Sequence, residues 1–238
     1  VFENLHPGEC TATEETRPGW IHTTPASETF ELNPDNSPYE VDFGNQEEEG
    51  CISGHKYIDP DGDGPGGDNP PYVEGWKIIV TDASGAIVAE PDTDAGGYWY
   101  VCLNPGTYTV CEEVKRGWSQ TYPAPNDCYT VELGPNQNVD DLDFYNKGNL
   151  SIKVCKFNDL NGDGEWDGDE PGIEGWKITV TGPYGYSEVV YTGPDGCVQL
   201  DNLPPGDYTV TEETRSGWIH TTPTSETFKL NPDNSPYE

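Results

Sequence analysis

Residues 204–213 read PPGDYTVTEE, and residues 104–113, at an offset of 100, read NPGTYTVCEE. In both stretches a Pro-Gly turn is followed by side chains that alternate between apolar and polar. This period of two is typical of a β-strand with one buried face, because successive side chains of a strand point to opposite sides of the sheet. Similar short runs recur between turn residues, and no segment shows a helical apolar stripe. The pattern predicts an all-β protein.

Internal repeats organise the chain. Residues 2–40 and 200–238 align without gaps at an offset of 198, with 30 of 39 positions identical. A weaker register at an offset of 100 matches Asp59 with Asp159 and Trp76 with Trp176. We therefore predict tandem Ig-like β-sandwich modules of about 100 residues, in alternating types A and B. Residues 1–45 are then the C-terminal half of a B-type module, residues 46–146 a complete A-type module, and residues 147–238 a B-type module lacking its last strand. A chain that begins and ends inside modules is expected to be a window of a longer array.

The charge is strongly acidic: 44 Asp and Glu face 11 Lys and Arg, for a net charge of −33. Such a field repels nucleic acid and anionic membrane surfaces and attracts cations. No apolar stretch of this segment is long enough to span a membrane. General solubility is one explanation of the charge. However, part of the charge is concentrated in Asp-Gly runs, which points to a more specific use.

The most specific chemistry lies in residues 159–170, DLNGDGEWDGDE. Oxygen-bearing side chains fall at loop positions 1, 3, 5, 9 and 12, and glycine falls at position 6, which is the spacing of an EF-hand-type calcium loop. The predicted Ca²⁺ ligands are Asp159, Asn161, Asp163, Glu165 through its backbone carbonyl, Asp167 and Glu170. The alternative is a solvated acidic turn. Because β patterns flank the loop, we expect an ion that locks a loop between strands.

The A-type module carries a shorter version of this loop. Asp59, Asp61 and Asp63 keep the first three ligand positions. Positions 9 and 12 hold glycine and proline, and Asp68 lies one residue after position 9. We predict a second calcium site here, with altered ligation.

The seven cysteines include no CxxC pair, so a structural zinc site is not indicated. We therefore interpret them as cysteines of a protein in an oxidising compartment. The four cysteines of residues 46–146 can pair in three ways, and the sequence leaves the choice open; they are Cys51, Cys102, Cys111 and Cys128. Cys155 and Cys197 are expected to pair with each other. Cys10 has no local partner and is expected to bond to preceding residues or to another chain. Asn149 begins an Asn-Leu-Ser sequon and is a candidate glycosylation site.

No residue constellation typical of an enzyme is present, so we expect no catalytic activity. The near-identical repeats and short linkers favour a structural role in an extracellular filament, stalk or cell-surface fibre, with copies of itself or neighbouring modules as partners. The alternative is an adhesin that grips a glycan or a protein ligand of a host or matrix. Exposed aromatic residues would form its binding surface: Tyr98, Trp99, Tyr100, Tyr184 and Tyr186. The tract of residues 98–100 could equally be a contact between modules or a core strand of the A-type module. The recurrent Gly-Trp tryptophans are expected to serve in core or edge packing.

The stretch KFNDLNGDGEWDGDEPGIEGWKITV (156–180), with LPPGDYTVTEE (203–213) and VDFGN (41–45), resembles the SdrD B-repeat domains of the wider Cna B-type family of surface proteins. The likeness covers essentially the whole chain. It implies a prealbumin-like β-sandwich, calcium loops and a stalk role on the cell surface.

The resemblance also implies a possible covalent cross-link, because Cna B-type relatives often join a Lys to an Asn with the help of a Glu. The matching residues are Lys56, Glu112 and Asn146. In the B type they are Lys156, or alternatively Lys153, with Glu212, and the first fragment keeps Glu14 and Asn45. The alternative is a surface lysine and an ordinary asparagine at the end of a strand.

Overall fold

The computed structural model describes residues 2–65, 70–124 and 127–237. Within these ranges the regular structure is nineteen strands and one 3₁₀ turn, Pro183–Gly185. The all-β prediction is therefore confirmed.

Residues 2–49 hold four short strands and little core. The strands are β1 (Gly8–Thr13), β2 (Trp20–His22), β3 (Ser27–Leu32) and β4 (Asn45–Glu47). They form two separate antiparallel pairs, β1 with β3 and β2 with β4. None of residues 2–49 is buried, so this segment contains the strands of a sandwich without its apolar interior.

The next part of the chain forms a two-layered sandwich. Its strands are β5 (Gly50–Ile58), β6 (Ile78–Asp82), β7 (Ile87–Ala89), β8 (Tyr98–Leu103), β9 (Gly106–Glu112), β10 (Trp118–Tyr122), β11 (Cys128–Leu133), β12 (Asn138–Val139) and β13 (Phe144–Gly148). One sheet has the order β10-β13-β5-β12, with β8 also paired to β5, and the other has the order β11-β9-β6-β7. The alternating apolar side chains of both sheets meet in one core that includes Ile52, Trp76, Trp99, Val110 and Phe144.

The last part repeats this arrangement with fewer strands. These are β14 (Leu150–Cys155), β15 (Lys177–Thr181), β16 (Ser187–Tyr191), β17 (Cys197–Leu203), β18 (Gly206–Glu212) and β19 (Ser225–Leu230). The pair β14-β17 packs on the sheet β16-β15-β18-β19 around a second core that includes Ile152, Trp176, Val180, Tyr208 and Leu230. The division of the chain into modules of about 100 residues remains a prediction, with which two separate cores agree.

Three disulfides tie neighbouring strands together: Cys51–Cys102, Cys111–Cys128 and Cys155–Cys197. Each joins residues that lie directly opposite each other in an antiparallel pair. The expected pairing of Cys155 with Cys197 is confirmed, and the choice left open among the other four cysteines is resolved. Cys10 has no disulfide partner among the described residues.

The two sandwiches meet closely, because Asn149 is the single residue between β13 and β14. Its backbone N–H donates to the Gly117 carbonyl at 3.0 Å. Across the same junction the rings of Trp118 and Tyr184 lie 6.2 Å apart, edge to face. Tyr184 therefore contacts the first sandwich at this junction, and its side chain remains 43% exposed.

Candidate functional site

A buried polar cluster in the first sandwich joins the two sheets. Lys56 on β5 and Asn146 on β13 come from neighbouring parallel strands of one sheet, in which Lys56 lies opposite Phe144. Glu112 comes from the end of β9 in the other sheet. The Lys56 Nζ lies 2.7 Å from the Glu112 Oε2, and the neighbouring Asn146 side chain acts to lower the pKa of Glu112. All three residues are buried, and Lys56 is completely so; the alternative of a surface lysine is wrong.

Burial favours the neutral forms of this cluster. Desolvation lowers the pKa of Lys56 to about 8, although the nearby Glu112 carboxylate acts in the opposite direction. Desolvation likewise raises the pKa of Glu112. The Lys56 Nζ also lies 4.6 Å from the centroid of the Trp76 ring. A neutral amine is a nucleophile and a protonated carboxyl is a proton donor, so both pKa shifts favour the reactive forms of the two groups.

The Asn146 carboxamide supplies a possible target for this amine. Its Oδ1 is buried and has no hydrogen-bond partner among the described residues. The sandwich thus brings together an amine, a carboxyl group and a carboxamide away from water. In such an arrangement the lysine Nζ can attack the carboxamide carbon while the carboxyl group transfers protons to the departing ammonia.

Each of the two B-type segments, at the N-terminal and C-terminal ends of the chain, contains a different part of a related cluster. At the C-terminal copy, the Lys156 Nζ lies 2.9 Å from the Glu212 Oε2, so Lys156, rather than Lys153, is the lysine at this glutamate. The His220 Nδ1 lies 2.8 Å from the other oxygen of Glu212. At the N-terminal copy, the Asn45 Nδ2 donates to the Glu14 Oε2 at 3.0 Å.

Histidine is a member of the B-type cluster that sequence reasoning missed. His22 contacts Glu14 through its Nδ1, as His220 contacts Glu212. The signal was available, because both histidines follow their glutamate by eight residues. The A-type module has Gln120 at this place, and its amide instead donates to the carbonyls of Pro123 and Asp127.

The A-type acidic loop begins directly after β5. One carboxylate oxygen from each of Asp59, Asp61 and Asp63 lies within 4.8 Å of the others, a spacing that a single Ca²⁺ with bonds of 2.3–2.6 Å can bridge. Asp59 is buried and accepts the N–H groups of Gly62 and Gly64, both at 3.0 Å. These glycines have φ of +80° and +79°, which lets the chain wrap around Asp59. Asp68, the fourth predicted ligand, lies outside the described residues.

The B-type loop has the same backbone form. Asp159 accepts the N–H groups of Gly162 at 2.6 Å and Gly164 at 2.8 Å, again with positive φ. The Asn161 Nδ2 donates to Asp163 at 2.9 Å and to Asp167 at 3.1 Å, so this partly positive group stands between two carboxylates.

Glu170, at position 12, closes the B-type loop. It is buried, and its Oε1 accepts the Leu160 N–H at 2.7 Å. Hydrogen bonds link some of the predicted side-chain ligands of this loop, namely Asn161 with Asp163 and with Asp167. Among the described residues, however, only Asp59, Asp61 and Asp63 bring three carboxylate oxygens within 4.8 Å of one another, so the ligand set Asp159, Asn161, Asp163, Asp167 and Glu170 stays a prediction. The Glu165 side chain is exposed, and its predicted contribution is its carbonyl. The donor set is all oxygen, as Ca²⁺ prefers, and the occupancy of both loops stays a prediction.

An aromatic face lies on the outside of the first sandwich. Tyr98 and Tyr100, neighbours on one face of β8, are 38% and 62% exposed. The ring of Tyr98 lies 5.2 Å from that of His55, which in turn lies 5.7 Å from Tyr72. The prediction of an exposed Trp99 is wrong: it is 1% exposed, because alternation along β8 turns it into the core.

Among the other predicted residues, Tyr186 is half-buried against the second core. Of the Gly-Trp tryptophans, Trp76 and Trp176 are buried in the cores, and Trp218 packs edge to face on Trp176 at 5.3 Å. Asn149 is exposed, and its glycosylation remains a prediction.

The fold and its loops define a class of protein: repeated β-sandwiches with an acidic loop after the first strand. Residues 151–235 match the sequence profile of the SdrD B-like domain family. The match covers this part of the chain, and the resemblance drawn from the sequence is confirmed.

Curated relatives extend the similarity over most of the chain. Serine-aspartate repeat-containing protein F of Staphylococcus epidermidis is 27% identical over 94% of this chain and 14% of its own length. Colossin-A of Dictyostelium discoideum is 27% identical over 88% of this chain and 2% of its own length. Among solved structures, the Bacillus anthracis TIE protein matches with a TM-score of 0.55 and 19% identity over 96% of this chain and 40% of that protein. That last likeness shows a shared fold. The chain spans a small fraction of these curated relatives.

In the ranges that the structure describes, no helix has the length and apolar character needed to cross a membrane.

Proposed function

We propose that this chain is a load-bearing repeat segment of an extracellular filament, stalk or cell-surface fibre. The observation that carries the proposal is the placement of β5 and β13. They are the first and last strands of the first sandwich, and they lie side by side in parallel. A pull along the chain enters through one and leaves through the other, so anything that joins these two strands resists the pull directly.

The buried cluster would join them covalently. An amide between the Lys56 Nζ and the Asn146 Cγ connects β5 to β13, and ammonia is released when it forms. The lowered pKa of Lys56 and the raised pKa of Glu112 support this chemistry. The bond would carry tension around the hydrogen-bonded sheet, so that the sandwich need not unfold under load.

Calcium would strengthen the same connection. The A-type loop follows β5 directly, and the Asp59 N–H donates to the Asn146 carbonyl of β13 at 2.8 Å. Thr121 of β10 also donates to the Asp59 carboxylate. An ion held by Asp59, Asp61 and Asp63 would neutralise carboxylates that otherwise repel one another. It would thereby fix a loop that touches three strands of one sheet.

Calcium binding is tested by thermal unfolding in EDTA and in added Ca²⁺. A ligand that binds only the folded state at 100 times its Kd stabilises it by about 2.7 kcal/mol per site. The variant Asp159→Asn should lose most of this gain in the second sandwich. Asp169→Asn is the matched control, because it removes the same charge from the same loop outside the ligand set. A melting temperature indifferent to calcium would contradict the proposal.

Several features support an extracellular location. Disulfides persist in oxidising compartments, and three are present. A net charge of −33 keeps a repetitive chain soluble and separate from its neighbours. Mass spectrometry of the chain under non-reducing conditions should show three disulfides, and free thiols at all seven cysteines would contradict this location.

The adhesin function remains a second candidate because of the aromatic face on the first sandwich. Exposed tyrosine rings can stack on the apolar faces of sugars or peptides. Tyr100→Ala should abolish binding in a screen of glycans and matrix proteins, and Tyr191→Ala, an exposed tyrosine of the second sandwich, should leave binding unchanged. No binding by the unaltered chain would reject this candidate.

A further inference from the structure

A basic residue follows the cluster glutamate by three positions in every copy of the repeat. The pairs are Glu14 with Arg17, Glu112 with Lys115, and Glu212 with Arg215. The whole chain has only 11 Lys and Arg against 44 Asp and Glu. A cation that recurs at one place in so acidic a chain points to a specific use.

One tryptophan ring is shared by this cation and the cluster lysine. In the first sandwich the Lys56 Nζ lies 4.6 Å from the centroid of the Trp76 ring, and the Lys115 Nζ lies 4.5 Å from the same point. Lys56 reaches the ring from the core, where its side chain is 0% exposed, whereas the Lys115 side chain is 34% exposed. The two nitrogens are therefore at most about 9 Å apart, with the indole as their common neighbour.

Hydrogen bonds hold both the ring and the surface cation in place. The Trp76 indole N–H donates to the Glu113 carbonyl at 3.1 Å, and the Lys115 Nζ donates to the Gly75 carbonyl at 3.2 Å. The Glu113 carboxylate also lies 3.6 Å from the Lys115 Nζ. Because Glu113 directly follows Glu112, the chain segment that supplies the carboxyl group of the cluster also fixes the ring and the cation beside it.

The second sandwich repeats the arrangement with arginine in place of lysine. The Lys156 Nζ lies 5.1 Å from the centroid of the Trp176 ring, and the Arg215 Cζ lies 4.5 Å from it. The Arg215 guanidinium donates to the Gly175 carbonyl and to the Glu213 carboxylate. These are the same partners at an offset of 100 residues, so the property that the two surface side chains share is their positive charge.

Two like charges at one ring repel each other, although the π electrons of the ring attract each of them. Lys115 is solvated and paired with Glu113, so it is the one that stays charged, whereas Lys56 is completely buried. Burial is the largest cause that lowers the pKa of Lys56 to about 8, and the charge of Lys115 acts in the same direction. The carboxylates of Glu112 and Asp59 act in the opposite direction.

We propose that the surface cation of the repeat, Lys115 in the first sandwich and Arg215 in the second, is a positioning residue of the cross-linking cluster. Its charge, placed against the shared ring, keeps the cluster lysine as a free amine that is ready to attack a carboxamide. The inference rests on the proposed function, because it concerns the same bond. A side chain that only packed on the tryptophan would need its aliphatic stem alone, so substitution can separate the charge from the stem.

The first experiment follows bond formation in chains that have never folded. Chains recovered unfolded from inclusion bodies are refolded in a redox buffer between about pH 6 and pH 10, and timed intact mass records the loss of about 17 Da. For the unaltered chain the rate should reach half of its plateau near pH 8. In Lys115→Met this midpoint should rise by about 0.5–1 pH unit, so that the rate at pH 7 falls roughly 3–10-fold. Because Lys115 also opposes the burial that raises the pKa of Glu112, the loss of its charge moves both pKa values upward.

Two further variants separate the charge from packing. Lys115→Arg keeps the charge, as the second sandwich does, and should keep the unaltered pH profile. Arg116→Gln is the matched control, because it removes a positive charge from the neighbouring residue, whose side chain is 75% exposed and pairs with Asp233; its midpoint should stay in place. A midpoint that Lys115→Met leaves unmoved would overturn the proposal. Equal slowing at every pH would also overturn it, because that result indicates a purely structural role.

Direct titration of Lys56 separates this inference from the proposed function. In Asn146→Ala no bond can form, and NMR of isotope-labelled lysine measures the pKa of the Lys56 amine itself. Adding Lys115→Met should raise that pKa by about 0.5–1 pH unit, and adding Lys115→Arg should leave it unchanged. A pKa that is the same in all three chains would count against the inference. If the pKa rises as expected but the unaltered chain never loses ammonia, the cross-link of the proposed function is wrong, while the effect of Lys115 on the amine stands.

Discussion

The Lys56–Asn146 bond can be tested by a single substitution, Glu112→Gln. The carboxyl group lies 2.7 Å from the Lys56 Nζ, within reach for proton transfer. The unaltered chain should weigh about 17 Da less than its sequence with three disulfides, because ammonia is lost. In Glu112→Gln this deficit should disappear.

The structure also predicts how much the free energy of unfolding should fall when the Lys56–Asn146 bond is absent. The bond closes a chain segment from residue 56 to residue 146, and a loop of about 90 residues is worth about 4.6 kcal/mol by the chain-entropy estimate. The Cys51–Cys102 and Cys111–Cys128 disulfides already shorten the path between these residues to about 30 residues, which reduces the figure to about 3.6 kcal/mol. The free energy of unfolding of the first sandwich should therefore fall by roughly 3.6–4.6 kcal/mol.

Denaturant unfolding and intact mass together form the assay. Glu212→Gln is the matched control, since Lys156 and Glu212 have no strand asparagine beside them among the described residues. Its mass should show no change beyond the substitution. An unaltered chain at the full mass of its sequence with three disulfides would refute the reasoning.

Three further predictions concern pH, disulfides and calcium. After refolding, cross-linking at pH 8 should outpace that at pH 6 by up to about 50-fold, because the lowered pKa of Lys56 makes its neutral fraction rise over this range; timed mass spectra would show it, and a flat profile would contradict it. In the Glu112→Gln background, replacing Cys51 and Cys102 with alanines should lower the free energy of unfolding by about 4 kcal/mol, and replacing Cys111 and Cys128 should lower it by about 3 kcal/mol. The difference follows from the separations of 51 and 17 residues within the two pairs. Denaturant titration measures both losses, and a larger loss for the second pair would contradict the prediction. Calorimetric titration of the chain with Ca²⁺ should show two binding sites, one for each acidic loop. A single site would mean that one of the two loops does not bind calcium.

Much of the fold could be predicted because strands and turns are local patterns. The alternation in residues 108–112 and the Pro-Gly turn before it predict a strand with one buried face, and the structure has one there. The same alternation decides that Trp99 points inward between Tyr98 and Tyr100, whereas the adhesin alternative had all three aromatic residues exposed.

Long-range pairing was harder to predict. The Cys51–Cys102 disulfide depends on the register of β5 against β8, and no local pattern encodes which of three pairings that register selects. The buried cluster was reached by resemblance, since Lys56, Glu112 and Asn146 are far apart in sequence. The contact of His220 with Glu212 could have been predicted from the repeat, because His22 likewise follows Glu14 by eight residues.

Stretching single molecules from end to end, with the disulfides reduced, tests the load-bearing role most directly. If Lys56 and Asn146 are joined, the roughly 90 residues between them cannot extend, and about 320 Å of contour length will be missing. That length should reappear in Glu112→Gln, and chelation of calcium should lower the unfolding force of the second sandwich. A chain that extends to its full length, at a force indifferent to calcium, would contradict the account.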